Sequence, residues 1–312
     1  MLRFAKLAQH PKKLTRMTGL TLDQFQTLTT HLTPAWEQAE RVRLSQRPRQ
    51  HAIGQGRKYK LATMADKLLA LLIFYRFYLT DELLGWLVGL DASTICRLQA
   101  KLEPLLEQAA DPTLGLSLRR RLPPGAKKIG TWEKLLEVCP DFADVITDAT
   151  EQPRQRPPRR SQRRWYSGKR KRHTVKTQVT VNRRGRILRV SRSVPGRVHD
   201  HSLFKREGTA RQFPPGTRHA LDRGYDGAPA DSPGYALSTP FKCRRNHHVL
   251  TRAERRFNRL HARGRIIVEH TLSRLKKYQV LAQVYRHRLA DYNRRFRNIA
   301  ALVNFRLTTA GT

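Results

Sequence analysis

The stretch FADVITD, residues 142–148, is a short apolar run that ends on a carboxylate. A run of this length with β-branched residues suits a buried strand, so a strand is expected over Phe142–Thr147, ending at Asp148. A second such stretch, TRHAL at 217–221, leads into Asp222. Between them Thr174–Val181 (TVKTQVTV) alternates as a strand does. The turn Asn182-Arg183-Arg184-Gly185 then joins it to Ile187–Val194 (ILRVSRSV), which predicts a hairpin. From Thr251 onward the chain reads as helix, with Ile267, Val268, Leu272 and Leu275 toward one side. Strands and helices mixed in this way give an α/β class to residues 141–312.

Upstream the period is helical. Leu22, Phe25, Leu28 and Leu32 recur at helical spacing over 20–33, and Pro34 is expected to end that helix. Residues 46–60 are basic, contain Pro and Gly, and read as a connector. Leu61–Leu79 is apolar enough to predict a buried helix. Thr80 is an N-cap candidate, with Asp81 and Glu82 in the first turn. A short helix, Asp81–Val88, meets Gly89. Asp91 or Ser93 then caps a second helix through Ile95, Leu98 and Leu102, which Pro104 would end or kink. This is the pattern of a helix-turn-helix over about 80–103, presenting Ser93, Thr94, Arg97 and Gln99 where recognition helices touch base edges. A plain helical hairpin has the same pattern, and the basic context favours DNA contact. The expected division is a helical domain over 1–112, a linker over 113–140 and an α/β domain over 141–312.

The chain of 312 residues carries 62 Lys+Arg against 24 Asp+Glu, a formal net charge of +38. Its 39% apolar content suffices for a core, so the excess does not signal disorder. It points to a polyanionic partner, nucleic acid foremost. Three cysteines (Cys96, Cys139, Cys243) cannot build a disulfide framework and fit a reducing interior. The apolar run Leu68–Tyr75 is cut by Arg76, far short of the ~20 residues that span a bilayer. The opening residues lack the apolar segment of a secretory signal. No membrane partner is expected, and a cytoplasmic, nucleoid-associated location is.

Residues 153–172 (PRQRPPRRSQRRWYSGKRKR) hold ten Lys/Arg and no acid, with Trp165 and Tyr166 interleaved. A solvated loop would have this composition. So would a nucleic-acid surface in which Arg163, Arg164, Lys169, Arg170, Lys171 and Arg172 contact phosphates while Trp165 or Tyr166 stacks on an unpaired base. In so basic a chain the few acids need a reason. Asp148, Asp222 and Glu269, brought together, make a hard-oxygen site suited to Mg²⁺ or Mn²⁺. Two such ions activate a water or 3′-hydroxyl and stabilise the leaving oxygen of a phosphodiester. Taken singly, each acid reads first as an ordinary salt bridge with a neighbouring Arg.

Five stretches in order, DVITDATEQP (144–153), YSGKRKRHTVKTQ (166–178), VPGRVHDHSLF (194–204), LDRGYDG (221–227) and RIIVEHTLSRLKKY (265–278), remove that ambiguity. With them the chain resembles the DDE-superfamily transposases of bacterial insertion sequences. The resemblance implies a ribonuclease-H-like catalytic domain behind an N-terminal all-α helix-turn-helix domain, with β-β-β-α-β-α-β-α order. It assigns a metal triad to Asp148, Asp222 and Glu269, and a phosphate-holding pair to Arg265 and Lys276. The tyrosine often found three residues before that arginine is absent, since position 262 is Ala. His199 and Asp200 match a family pair after the third strand, as auxiliary groups or as a helix start. His201 and His247-His248 near Cys243 match no zinc spacing. The activity implied is binding of terminal inverted repeats, metal-dependent strand cleavage and strand transfer, by a homodimer bound to transposon ends and target DNA. A domesticated endonuclease or an inactive repressor are the alternatives.

Overall fold

The computed structural model of the chain describes residues 1–46, 59–114, 131–243 and 249–309. Most of the connector expected over 46–60, much of the linker over 113–140, and His247-His248 lie outside the described residues. The chain divides into two compact units. One comprises Met1–Thr113, Lys277–Gln283 and Arg297–Thr312; the other comprises Leu114–Lys276 and Val284–Phe296. The α/β half expected over 141–312 therefore contributes two segments to the helical unit.

The helical unit holds α1 (Phe4–Ala8), α2 (Pro11–Thr18), α3 (Leu22–Ser45), α4 (Met64–Phe77), α5 (Asp81–Val88) and α6 (Ala92–Leu114). A reciprocal capping box between Thr21 and Gln24 starts α3. Pro34 does not end α3 but sits inside it, and Pro104 likewise sits inside α6. Each proline removes the donor of the carbonyl four residues earlier, and those residues, Thr30 and Ala100, are exposed to water. Helix α4 is buried from Lys67 to Tyr75. The Lys67 ammonium reaches the Ala62 and Thr63 carbonyls at 2.9 and 3.3 Å. Thr80 caps α5 by accepting from Leu83 N–H, and Gly89, at φ +74°, ends it. Gln99 is not presented to solvent: it is buried, and its amide donates to Asp81 Oδ1 at 2.8 Å.

The other unit begins with α7 (Trp132–Val138) and β1 (Asp144–Pro153), followed by α8 (Gln162–Trp165), β2 (Tyr166–Ser167), β3 (Arg172–Asn182), β4 (Ile187–Val190) and β5 (Val194–Pro195). Next come α9 (Asp200–Arg206), β6 (Arg218–Leu221), α10 (Ala228–Asp231), β7 (Ala236–Ser238) and α11 (Arg252–Lys276). Helix α12 (Leu289–Thr309) belongs in part to each unit. The sheet runs β2-β3-β1-β6-β7, with β4 and β5 also on β3. Strand β3 is antiparallel to β1, and β6 is parallel to β1.

Two strand boundaries differ from expectation. Phe142 lies in a 3₁₀ turn, and β1 continues through Asp148 to Pro153 because its pairing with β3 runs unbroken to Pro153↔Thr174. The segment ILRVSRSV is split into β4 and β5. Between them the Ser191 hydroxyl, rather than a backbone carbonyl, accepts the Gln178 N–H at 2.8 Å, interrupting the ladder. The hairpin turn is as expected, with Gly185 at φ +76° and the Asn182 side chain accepting from Arg184 and Arg186 N–H. Val145, Leu188 and Phe213 form one part of the core; Phe204, Leu221 and Tyr225 form another. No helix among the described residues is long and apolar enough to cross a membrane.

Candidate active site

The site follows from strand register. Strands β1 and β6 run parallel with Thr147 opposite Leu221. The next residue on each chain is an aspartate, so Asp148 and Asp222 leave the paired region as neighbours, at the roughly 4.8 Å spacing of adjacent strands. Strand β6 ends there, whereas β1 is carried onward by β3. Asp148 Oδ1 accepts from Ala149 N–H at 2.8 Å, and Asp222 Oδ1 accepts from Arg223 N–H at 2.6 Å, starting a 3₁₀ turn.

One guanidinium joins the two carboxylates. Arg265, on α11, donates from Nη1 to Asp222 Oδ1 and from Nη2 to Asp148 Oδ2, both at 3.1 Å. Its side chain is 11% exposed, against 19% for Asp148 and 39% for Asp222. Even so, burial pushes the Asp148 carboxyl up to about 6. The Arg265 charge and the Ala149 N–H oppose that rise; Asp222 and Asp200 add to it. Glu269 lies four residues beyond Arg265 on the same face of α11, one turn along, and is exposed. Lys276 stands two turns beyond Glu269, half-buried. Burial and the nearby Arg170 hold its ammonium below its ordinary value, against the pull of Asp148.

Among the expected auxiliary groups, Asp200 opens α9 and forms an ion pair with Lys176 Nζ at 2.7 Å, while His199 is exposed and its side chain makes no cap. The partner of Asp200, Lys176, has no place in the sequence reading. Buried on β3, its ammonium also lies 3.4 Å from Glu151 and donates to the Val198 carbonyl at 2.7 Å. A lysine inside an otherwise uncharged strand, TVKTQVTV, was the available signal. Tyr225 is fully buried, accepting from Gln178 Nε2 at 3.0 Å, and burial followed by Asp148 and Asp200 raises its phenol well above the ordinary value. His261, on the first half of α11, contacts the Ser238 carbonyl at 3.2 Å, and burial lowers its imidazole.

Of the DNA-contact candidates, Arg163, Arg164, Lys169, Arg170, Lys171 and Arg172 are all exposed, and Trp165 is half-buried beneath the Arg154 guanidinium, 4.3 Å from its ring centroid. Thr94 is half-buried. Arg97 is exposed and folds back on its own helix, donating to the Ser93 carbonyl and to the Ser93 and Thr94 hydroxyls.

The donor chemistry of Asp148 and Asp222 fits a hard divalent cation: two carboxylates already share one cationic partner, and one of them is buried enough to resist ionisation. That partner is Arg265, and no group of three His, Cys, Asp or Glu among the described residues is arranged to hold a metal. Glu269 is thus the member that this arrangement leaves apart.

Two aspartates thus lie side by side, Asp148 within β1 and Asp222 just past the end of β6, with an acid on a following helix. A family model described as DDE superfamily endonuclease matches residues 147–304, a span that includes Asp148, Asp222 and Glu269. Over 253 residues the chain is 32% identical to a probable transposase for insertion sequence element IS702 from Microchaete diplosiphon, covering 81% of this chain and 83% of that protein. No solved structure matches the chain. The chain belongs to the DDE-superfamily transposases of insertion sequences and is an enzyme of that nuclease class.

Proposed function

We propose that the protein binds the terminal inverted repeats of its element, cleaves the DNA ends and joins the freed 3′-hydroxyls to target DNA. The observation that carries this reading is the β1–β6 register, which sets Asp148 beside Asp222 with Glu269 one turn beyond the arginine that joins them. The strand order, with hairpin, α9, β6, α10, β7 and α11 following β1, supports a ribonuclease-H-like fold. Asp148, Asp222 and Glu269 would hold Mg²⁺ or Mn²⁺, two ions in all. When bound, such ions polarise the phosphodiester and lower the pKa of an attacking water or 3′-hydroxyl.

The chain's own residues do the rest. The two strands fix the aspartates against displacement by the entering phosphate. Burial of Asp148 gives it a strong preference for a cationic neighbour. Arg265 and Lys276 are the cations that would hold the scissile strand's phosphates, Arg265 doing so where metal took over its two carboxylates. The α5–Gly89–α6 pair acts as a helix-turn-helix that presents Thr94 and Arg97 to base edges, and the exposed cations of 163–172 follow the backbone. Both ends must be cut together, which calls for a homodimer on two ends.

Cleavage of labelled terminal-repeat DNA in Mg²⁺ tests the assignment. Asp148→Asn, Asp222→Asn and Glu269→Gln should each abolish product while leaving DNA affinity largely intact. A variant that still cleaves at the parental rate removes its residue from the site.

A further inference from the structure

Two shallow concavities lie side by side on the α/β unit, and neither is lined by Asp148, Asp222 or Glu269. The first, about 460 Å³, is walled by Arg160, Arg163, Arg164, Arg197 and Arg206. These arginines come from separate segments: the 3₁₀ turn at Arg159–Ser161, α8, the loop after β5, and the end of α9. All five are exposed, and none forms an ion pair with another described residue. Five arginines lining one concavity with no carboxylate among the lining residues make a local positive potential that favours an anion there. Planar guanidinium forks match phosphate oxygens.

The second concavity, about 640 Å³, shares Arg163 and Arg197 with the first but is otherwise different in character. Its lining includes Tyr166, Gly168 and His173. The β2–β3 register sets Tyr166 opposite His173, and the two rings meet edge to face at 5.8 Å and 75°. That contact anchors the Tyr166 ring, yet the residue remains 42% exposed. Gly168 leaves open space beside it, since a Cβ there would meet nothing within 4 Å. Trp165, the other aromatic of this segment, already has the Arg154 guanidinium over its ring.

A duplex backbone would supply phosphates to the first concavity but keep its bases stacked away from the second. An unpaired nucleotide supplies both a phosphate and a free π-face. We infer that these joined concavities bind one unpaired nucleotide of a DNA strand, its phosphate among the arginines and its base on Tyr166. The inference rests on the DNA-processing reading above and adds the strand form that this surface selects.

The test reads binding alone, so its failure is separate from any failure of the catalytic assignment. The full chain carrying Asp148→Asn, in EDTA, is titrated by fluorescence anisotropy against two DNAs of one sequence. One is a perfect duplex; the other has a single unpaired nucleotide replaced by 2-aminopurine. The unpaired DNA should bind more tightly and its 2-aminopurine emission should be quenched. Tyr166→Leu should weaken that complex about tenfold, the stacking contribution of one base, with duplex binding changed less than about twofold. Tyr166→Phe should retain the preference, showing that the ring and not the fold is at stake. Arg197→Gln should weaken both DNAs and reduce the salt slope by about one. Equal affinity for the two DNAs, or an equal loss on both in Tyr166→Leu, overturns the inference and leaves a backbone groove. An unaltered salt slope in Arg197→Gln overturns the phosphate half.

Discussion

Asp148→Asn should stabilise the protein while destroying its chemistry. The carboxyl sits at about 6 rather than its ordinary 3.8, chiefly because burial disfavours its charge. Each tenfold change in proton affinity is worth about 1.4 kcal/mol, so the ionised form costs the fold about 3 kcal/mol at pH 8. Unfolding relieves that cost. As pH falls through 6 the folded protein takes up a proton that the unfolded chain does not yet bind, and the penalty fades, vanishing below 3.8. Asparagine mimics the protonated form at every pH, and its oxygen can still accept from Arg265. In EDTA, urea unfolding should therefore find the variant about 3 kcal/mol more stable at pH 8. The gap should shrink by about 1.4 kcal/mol for each pH unit below 6. Taking the difference between two proteins cancels the titrating groups that do not interact with Asp148; Asp222 and Asp200 do interact with it. On the proposed metal site, Mg²⁺ should narrow the gap from the other side by stabilising the parent alone; at one hundred times its dissociation constant the gain would be about 2.7 kcal/mol. A variant no more stable than the parent at pH 8, or a gap independent of pH, would refute the burial argument.

Three further outcomes follow from particular contacts. His219 is buried against Phe204 and Phe213, its ring nitrogens without partners among the described residues, and burial holds it at about 4. Its neutral form is tolerated above 6.5, and stability is lost as pH falls from there toward 4. His219→Leu should lessen the acid loss by about 1.4 kcal/mol per pH unit in that window, and parallel urea profiles would count against it. Gly85→Ala should cost roughly 1–3 kcal/mol, because the new methyl would lie 2.4 Å from the Leu90 carbonyl and open the α5–α6 turn. An unchanged melting temperature would show that the turn has slack. Arg97→Ala should change the ranking of DNA ends by affinity; a uniform loss across sequences makes it a backbone contact.

The longer strands of the sheet unit were legible from their β-branched or alternating runs, whereas the short β2 and β7 carry no such run. Asp148 and Asp222 stood out as acids after apolar runs in a basic chain, but it took the five family-like stretches around them to set them apart from ordinary salt bridges. Their adjacency could not be read, because it depends on the pairing of Thr147 with Leu221 across more than seventy residues of chain. The role of Arg265 in joining them was hidden for the same reason: a helical period says which face turns inward, not what that face meets. Pro34 misled because a proline's cost depends on whether the freed carbonyl reaches water, which local sequence does not state. Gln99 carried a polar signature that suits a surface, yet Asp81, eighteen residues earlier, gave it a partner and let it be buried.

The assignment of Lys277–Gln283 and Arg297–Thr312 to the helical unit bears on how the chain is made. Tyr278 is buried in that unit, close enough to Gly19 that a methyl there would lie 2.6 Å from its hydroxyl. Asn298 donates to the Tyr75 hydroxyl and the Glu103 carbonyl, both at 3.0 Å, and Arg297 reaches Glu107 at 2.7 Å. The first hundred residues leave the ribosome early but wait for the last forty to complete their interior. A message cut short, or a reading frame broken before Lys277, yields a helical fragment lacking its final layer. Such a fragment should be cleaved by protease faster than the full chain, for want of these contacts.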